Sequence, residues 1–393
     1  MNEKTLLSLA GKYCTPLYVF DADEFKKRAA LCKAAFGEKV TLCYSIKANP
    51  FLLACLPEEI EMLEVCSPGE LTVCENAGAE LSSIVFSGVN KTRDCVERAM
   101  DDHVNVFTAE SPLHCEHIEA AAKERGITVP VLMRLTSDNQ FGMDEDVILR
   151  LASEQDEKYP HIEFVGLHYF SGTLKKRPTL VGRELDKMDA LAKRVREETG
   201  IVFTRMEYGP GLWIDYFGDD PDAAEEALLG EVAPLIRDMA EKYHLTVEMG
   251  RYYSAPCGSY LTTVMDKKTN CGYNYAIVDG GLHQMNYDGQ MKGTQVPDIR
   301  YLSEPEGETS DWCICGSLCT PNDVLVRRVS MPEPALGDIL AFCRTGGYSI
   351  CEGFALLLSR DVPAVVIYSE ENGSKLVRGH IGLDPLNTPK GED

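Results

Sequence analysis

Between residues 40 and 251 the chain repeats one unit: a short apolar run that reads as a strand, then a longer segment with helical spacing. The strand candidates are Val40–Ala48, Glu61–Ser67, Ser83–Gly88, Asn105–Glu110, Val131–Thr136, Phe164–Phe170, Arg205–Gly211 and Leu245–Arg251. Helix-like stretches such as Ser111–Arg125, Glu145–Glu157, Leu180–Glu198 and Ala223–Tyr243 lie between them. Eight strand-plus-helix units in roughly 210 residues is the arithmetic of a (β/α)8 TIM barrel. A doubly wound sheet is the rival, but it would need fewer strands or a clear topological break.

Polar residues and glycines gather at the C-terminal ends of these runs: Lys47, Ser67, Ser87, Gly88, Glu110, His168, Gly209, Gly211, Glu248 and Arg251. In a barrel those positions share one rim, where eight loops converge on one ligand. After about residue 255 helical spacing fades, and apolar runs at Tyr260–Met265, Tyr275–Val278, Asp311–Cys315, Ile339–Cys343 and Ala364–Tyr368 alternate with turn-rich separators such as SEPEGETSD and PEPALGD. This reads as a second, all-β domain, and the early strand TPLYVFD joins it. The expected architecture is α/β plus all-β: a TIM barrel over 35–254, and a discontinuous, β-barrel-like domain from 1–34 and 255–393. The tail NTPKGED reads as frayed.

Composition narrows the partners. The net charge of −23 repels phosphate backbones and anionic lipid, which argues against nucleic acid and membrane surfaces. No run of about 18 apolar residues exists to span a bilayer, and the N-terminus lacks the pattern of a signal peptide. Fifteen cysteines without a metal ladder, many inside apolar runs, read as a reduced, cytoplasmic protein. His103, His114 and His117 show no metal spacing, so no metal is expected.

Lys47, in TLCYSIKANP, either reaches solvent from a strand end or stands in a dry barrel mouth. In the second case desolvation makes its amine a Schiff-base nucleophile, as in an aldolase-type enzyme or a pyridoxal phosphate site. Gly209 and Gly211 in EYGPG, with Gly172 and Thr173 in HYFSGT, offer backbone N–H groups and a hydroxyl for a phosphate on the same rim. Glu248, flanked by Val247 and Met249, needs a partner, and a protonated pyridine nitrogen suits it. Arg251 supplies positive charge for phosphate or a substrate carboxylate, or else a rim salt bridge. Arg134 reads as a supporting donor, and Trp213 and Tyr216 as packing.

Taken in order, YSIKANP, EVCSPGEL, IVFSGVNK, QFGMD, GLHYFSGT, YGPG, EMGRYY, VDGG, CTPND and GGY run through essentially the whole chain. This series resembles the fold-type III pyridoxal-phosphate decarboxylases, the group that acts on diaminopimelate, ornithine and arginine. The resemblance implies a barrel and β domain like those of alanine racemase and ornithine decarboxylase, with pyridoxal 5'-phosphate as cofactor. It implies loss of an amino acid's α-carboxylate as CO2, in a homodimer with shared active sites. By position, Lys47 resembles the lysine that carries the cofactor and Glu248 the pyridine-nitrogen carboxylate, with Arg251 close by. Gly172, Thr173, Gly209 and Gly211 look like phosphate-loop residues, although GPG stands where the family usually has three glycines. Tyr348 resembles the tyrosine at the cofactor phosphate, and Cys319 the cysteine that the partner subunit inserts.

Two departures matter. His168 matches the first histidine of the family's HxHxGS segment, but the second, which stacks on the ring, is Phe170 here. The acidic residue that often follows the inserted cysteine, and pairs with a diamine's distal ammonium, is Thr320. Breaking such a buried pair costs about 3–5 kcal/mol. The resemblance therefore implies a modified or carrier-bound amino acid rather than a simple diamine precursor, unless Asp323 turns inward. His283 stands where the family often contacts substrate. The rivals are a racemase on the same barrel, which would pair the pyridine with arginine rather than Glu248, and a non-catalytic cofactor carrier, which would lack the second domain.

Overall fold

A computed structural model describes residues 1–303 and 307–389. The chain divides into two compact units, one of Lys27–Ile214 and Asp222–Tyr252, the other of Met1–Lys26, Asp215–Pro221 and Tyr253–Asp393. Part of the separator SEPEGETSD and the last four residues of the expected frayed tail lie outside the described residues. Among the described residues no helix is long and apolar enough to cross a membrane.

Strand β1 (Leu17–Asp21) opens the second unit's sheet, and the barrel unit follows. Its strands are β2 (Val40–Ser45), β3 (Met62–Val65), β4 (Ile84–Phe86), β5 (Val106–Ala109), β6 (Val129–Arg134), β7 (Ile162–Phe170), β8 (Arg205–Gly209) and β9 (His244–Met249). They pair in that order, all parallel, and close where β2 meets β9, with Cys43 opposite Glu248. This is the eight-stranded barrel that the periodicity called for. Helices cap as their sequences dictate. Ser67 and Ser111 side chains accept the N–H groups of Glu70 and His114, Pro68 and Pro112 start the helices, and Gly78 and Gly126 end them in the left-handed conformation. The barrel strands are almost continuously buried, as expected of parallel strands covered by helices.

Side-chain alternation then sorts the mouth. His168 lies directly opposite Glu207 across β7 and β8, and Ser45 opposite Glu64 across β2 and β3. With period-two alternation, those positions and Glu248 face one interior. One expectation is corrected here: β2 ends at Ser45, and Lys47 sits in a 3-10 turn, Ile46–Ala48. Tyr44 donates its hydroxyl to the Asn49 carbonyl (2.9 Å), tying that turn to the strand.

The second unit holds a nine-stranded mixed sheet. It comprises β1 with β10 (Gly258–Asn270), β11 (Tyr273–Val278), β12 (Ile299–Tyr301), β13 (Thr309–Cys315), β14 (Val324–Pro332), β15 (Ile339–Cys343), β16 (Ala364–Ser369) and β17 (Gly373–Arg378). The N-terminal strand pairs in parallel with β16 and antiparallel with β10, which is how distant segments share one unit. The unit is not purely β. Helix Glu3–Tyr13 buries Leu6, Leu9 and Ala10 against Leu17, Val19, Leu261 and Val366. Its N-cap is Asn2, whose side chain accepts the Thr5 N–H, a short polar signal that strand counting passes over.

Candidate active site

Lys47 reaches the barrel mouth from the turn after β2. Its Nζ lies 2.5 Å from Glu64 Oε2, 3.5 Å from Glu248 Oε1 and 3.4 Å from Cys66 Sγ. The ammonium is therefore gripped by two acids from opposite sides of β2. Glu248 accepts hydrogen bonds from Ser45 Oγ (2.7 Å) and His168 Nε2 (3.0 Å). Burial alone would raise its pKa, but the Lys47 charge and the bonds from His168 and Ser45 hold it well below the usual carboxylate range. Glu248 is thus an enclosed, ionised carboxylate. Cys66 donates to Glu64 (2.7 Å), and its thiol is pushed up, first by burial and then by the Glu64 charge.

The glycines make a cradle beside this cluster. Gly211 has φ +57°, and a Cβ there would fall 2.0 Å from the Gly172 carbonyl oxygen, so no other residue fits. A Cβ on Gly209 would meet the Phe170 ring at 2.7 Å. Phe170 lies opposite Gly209 across β7 and β8, so its ring lies against the Gly209 backbone. Lys175 N donates to the Gly211 carbonyl (2.8 Å), joining the two loops. Beneath them Lys175 and Tyr208 both bind Glu184, at 2.7 and 2.5 Å, and Ser171 donates to the same carboxylate. Thr173 is exposed on the same loop. Arg251 opens the one-turn helix Arg251–Ser254 directly after β9 and is buried.

The geometry thus gathers Lys47, Glu248, His168, Phe170, Gly172, Gly209 and Gly211 in one barrel unit. Arg134 donates to Glu110 (2.9 Å). Trp213 carries the Lys176 ammonium 4.0 Å from its ring centroid.

A match to the family described as pyridoxal-dependent decarboxylase, pyridoxal binding domain, covers residues 22–255. The chain belongs to this family. It is 26% identical to L-glutamyl-[BtrI acyl-carrier protein] decarboxylase of Niallia circulans, over 96% of this chain and 94% of that protein. It is 27% identical to diaminopimelate decarboxylase of Bacillus subtilis, over 93% and 89% of the two chains. The Helicobacter pylori diaminopimelate decarboxylase, solved with L-lysine, superposes with a TM-score of 0.85 at 23% identity, covering 97% and 98% of the chains. That likeness establishes the shared barrel-plus-sheet fold.

The chain is accordingly a pyridoxal-phosphate-dependent amino-acid decarboxylase, and its residues suit that cofactor. A half-buried amine, an ionised carboxylate shut from water and two glycine loops so closely packed that a single Cβ would part them suit an aldehyde, a pyridine nitrogen and a phosphate.

The remaining candidates lie in the second unit. Tyr348 has φ +67°, a conformation that a tyrosine holds only at a cost of order 1–3 kcal/mol, and its carbonyl accepts from Cys351 and Glu352 in a tight turn. Cys319 is exposed on the loop between β13 and β14. Thr320 Oγ1 accepts the Asn322 N–H (3.3 Å). Asp323 does not offer a free carboxylate: its two oxygens accept the Leu282 and Leu318 N–H groups, each at 2.8 Å, stapling this loop to the next. His283 is 3% exposed with neither ring nitrogen hydrogen-bonded, and burial, then Arg360, pulls its pKa down to about 4.

Glu64, Cys66, Glu207 and Glu184 were not anticipated as site residues. The signal for Glu184 was present: it occupies the buried face of helix Pro178–Thr199, between Val181, Leu185 and Met188. Glu64 and Glu207 also interrupt apolar strands, but only the strand pairing shows that they point inward.

Proposed function

We propose that this decarboxylase acts on a modified or carrier-bound amino acid, in a homodimer whose sites are shared. The carrying observation is the Cys319–Asp323 loop. Thr320 follows the cysteine, and the one carboxylate of that loop is engaged by Leu282 and Leu318 N–H groups. A substrate with a free distal ammonium would find no counter-charge there, whereas one whose distal end is masked needs none. The relative from Niallia circulans, named for a glutamyl group on an acyl-carrier protein, supports this choice.

In this reading Lys47 would hold the cofactor's aldehyde carbon through its ε-amine. Pyridoxal 5'-phosphate, when bound, supplies the electron sink that accepts the pair left by the departing carboxylate. Glu248, kept ionised by Ser45, His168 and Lys47, retains a proton at the ring nitrogen. Gly172, Thr173, Gly209 and Gly211 hold the phosphate with backbone N–H groups and a hydroxyl, aided by Arg251 and Tyr348. Phe170 would offer the cofactor an apolar aromatic surface, without the bonding an imidazole would add. Cys319 from a second copy delivers a proton to the substrate Cα. The cofactor-binding domain is the barrel, and the enzyme works in the cytoplasm.

The test is CO2 release from purified protein supplied with cofactor, across free L- and D-amino acids, N-acylated forms and carrier-linked thioesters. Turnover confined to masked or carrier-linked substrates is expected. Efficient turnover of free diaminopimelate, ornithine or lysine would overturn the substrate reading.

A further inference from the structure

Glu207 is 1% exposed at the centre of β8, and its Oε1 has no hydrogen-bond partner. A carboxylate oxygen each of Glu207 and Glu248 and a ring nitrogen of His168 all lie within 4.8 Å of one another. The groups facing Glu207 are Glu248 from β9, His168 from β7, Glu64 from β3, Cys43 from β2 and Lys47 from the following turn.

Two carboxylates in contact share a hydrogen bond only if one carries a proton. Glu248 is the natural anion, because Ser45, His168 and Lys47 already direct hydrogen or positive charge at it. Among these groups the Lys47 charge is already matched by Glu64 and exceeded once Glu248 is counted. A third charge in an enclosed barrel would stand uncompensated.

We propose that Glu207 is the positioning residue for Glu248: it stays a neutral acid and donates a hydrogen bond to the Glu248 carboxylate. Burial, reinforced by the Glu248 and Glu64 charges, pushes the Glu207 carboxyl well above its ordinary range, consistent with that assignment. The neutral acid fixes the orientation of Glu248 while leaving only one negative charge to meet the cofactor's ring nitrogen. An ionised Glu207 would compete for that same proton. The function assigned to Glu207 rests on Glu248 being the ring-nitrogen partner, whereas its protonation does not.

The test has two arms. The first is infrared difference spectroscopy on cofactor-free protein at about pH 8, well above the ordinary carboxylate range. A protonated carboxylic C=O band is expected in the wild type and absent in Glu207→Gln. The second is titration with pyridoxal phosphate, followed by the visible absorption of the lysine-bound form. Glu207→Gln, which keeps a neutral donor, should hold cofactor affinity within about threefold of wild type. Glu207→Leu should lose about tenfold or more, the worth of one charge-assisted hydrogen bond. No band in the wild type, a band that survives in Glu207→Gln, or Gln as damaging as Leu would overturn the proposal. If Glu207→Leu fails to fold, the band and the Gln variant still decide. Should Glu248→Gln leave both cofactor affinity and the spectrum of the bound form unchanged while the band persists, the reading of Glu248 fails and the protonation of Glu207 stands.

Discussion

Lys47 Nζ lies 2.5 Å from Glu64 Oε2, closer than to any acid that sequence reasoning placed beside it. The Lys47 side chain is about one-third exposed, at 36%, whereas that of Glu64 is 3% exposed, so the pair sits at the boundary of the wet mouth and the dry barrel. The contact must open before the amine can bond a carbonyl. Glu64→Gln replaces an ion pair by a bond from the ammonium to a neutral amide, a difference of about 1 kcal/mol, so covalent capture of pyridoxal phosphate accelerates by about fivefold. Stopped-flow absorbance at fixed cofactor measures it. Unchanged or slower capture would show that Glu64 aids the amine rather than restraining it.

The glycine cradle yields a graded prediction. At Gly211 an added Cβ meets the Gly172 carbonyl at 2.0 Å and φ is +57°, whereas at Gly172 nothing lies within 4 Å and only the backbone, at φ +140°, is strained. Gly211→Ala should therefore lose more cofactor affinity than Gly172→Ala, by about tenfold, as expected when a clash adds roughly 1–2 kcal/mol to backbone strain. Equilibrium titration with the cofactor compares the two. Equal losses would mean that the loops yield without moving the phosphate contacts.

The contrast between what the sequence shows and what it hides is clearest at two pairs of residues. Lys47 and Glu248 were legible because each ends an apolar run, and a barrel brings such ends to one rim. Glu64 and Glu207 were not, since a single acid inside a strand reads as its exposed face until pairing fixes parity; the register that sets His168 opposite Glu207 and Ser45 opposite Glu64 supplies it. In the second unit, β12, β14 and β17 escaped notice for a related reason. Ile299–Tyr301 is too short to show alternation, and Gly373–Arg378 is largely exposed and polar.

Lys91 carries a pH signature. It is buried, and its ammonium donates to the carbonyls of Phe86 (3.3 Å) and Ser87 (2.5 Å). Burial pulls its pKa down to about 8, against the partial support of the Glu110 and Glu64 charges. A depressed lysine destabilises the folded state while it is charged, because the unfolded chain holds the same proton more tightly up to about pH 10.4. Between about pH 8 and 10.4 the folded form sheds the proton first, so stability from this group rises with pH by up to about 3 kcal/mol. Below pH 8 the penalty is constant. Denaturant titrations across that window should show the rise in wild type and its loss in Lys91→Met. Parallel curves would place the Lys91 amine outside the titration.

Shared sites make an arithmetic prediction. If each site joins Lys47 of one copy to Cys319 of another, Lys47→Ala removes one half and Cys319→Ala the other. In a mixed dimer of the two variants, one site carries both lesions and the other carries neither. Random pairing of equal amounts makes about half of the dimers mixed, so about one quarter of all sites are intact. Each variant alone is expected to lack turnover or nearly so, with cofactor binding kept in Cys319→Ala because the exposed thiol lies outside the barrel unit. Co-expression with two affinity tags isolates the mixed species, in which half of the sites recover. CO2 release near half of the wild-type value per purified mixed dimer supports sharing. Release no greater than the sum of the two parent variants, in dimers shown to be mixed, would mean that each copy completes its own site.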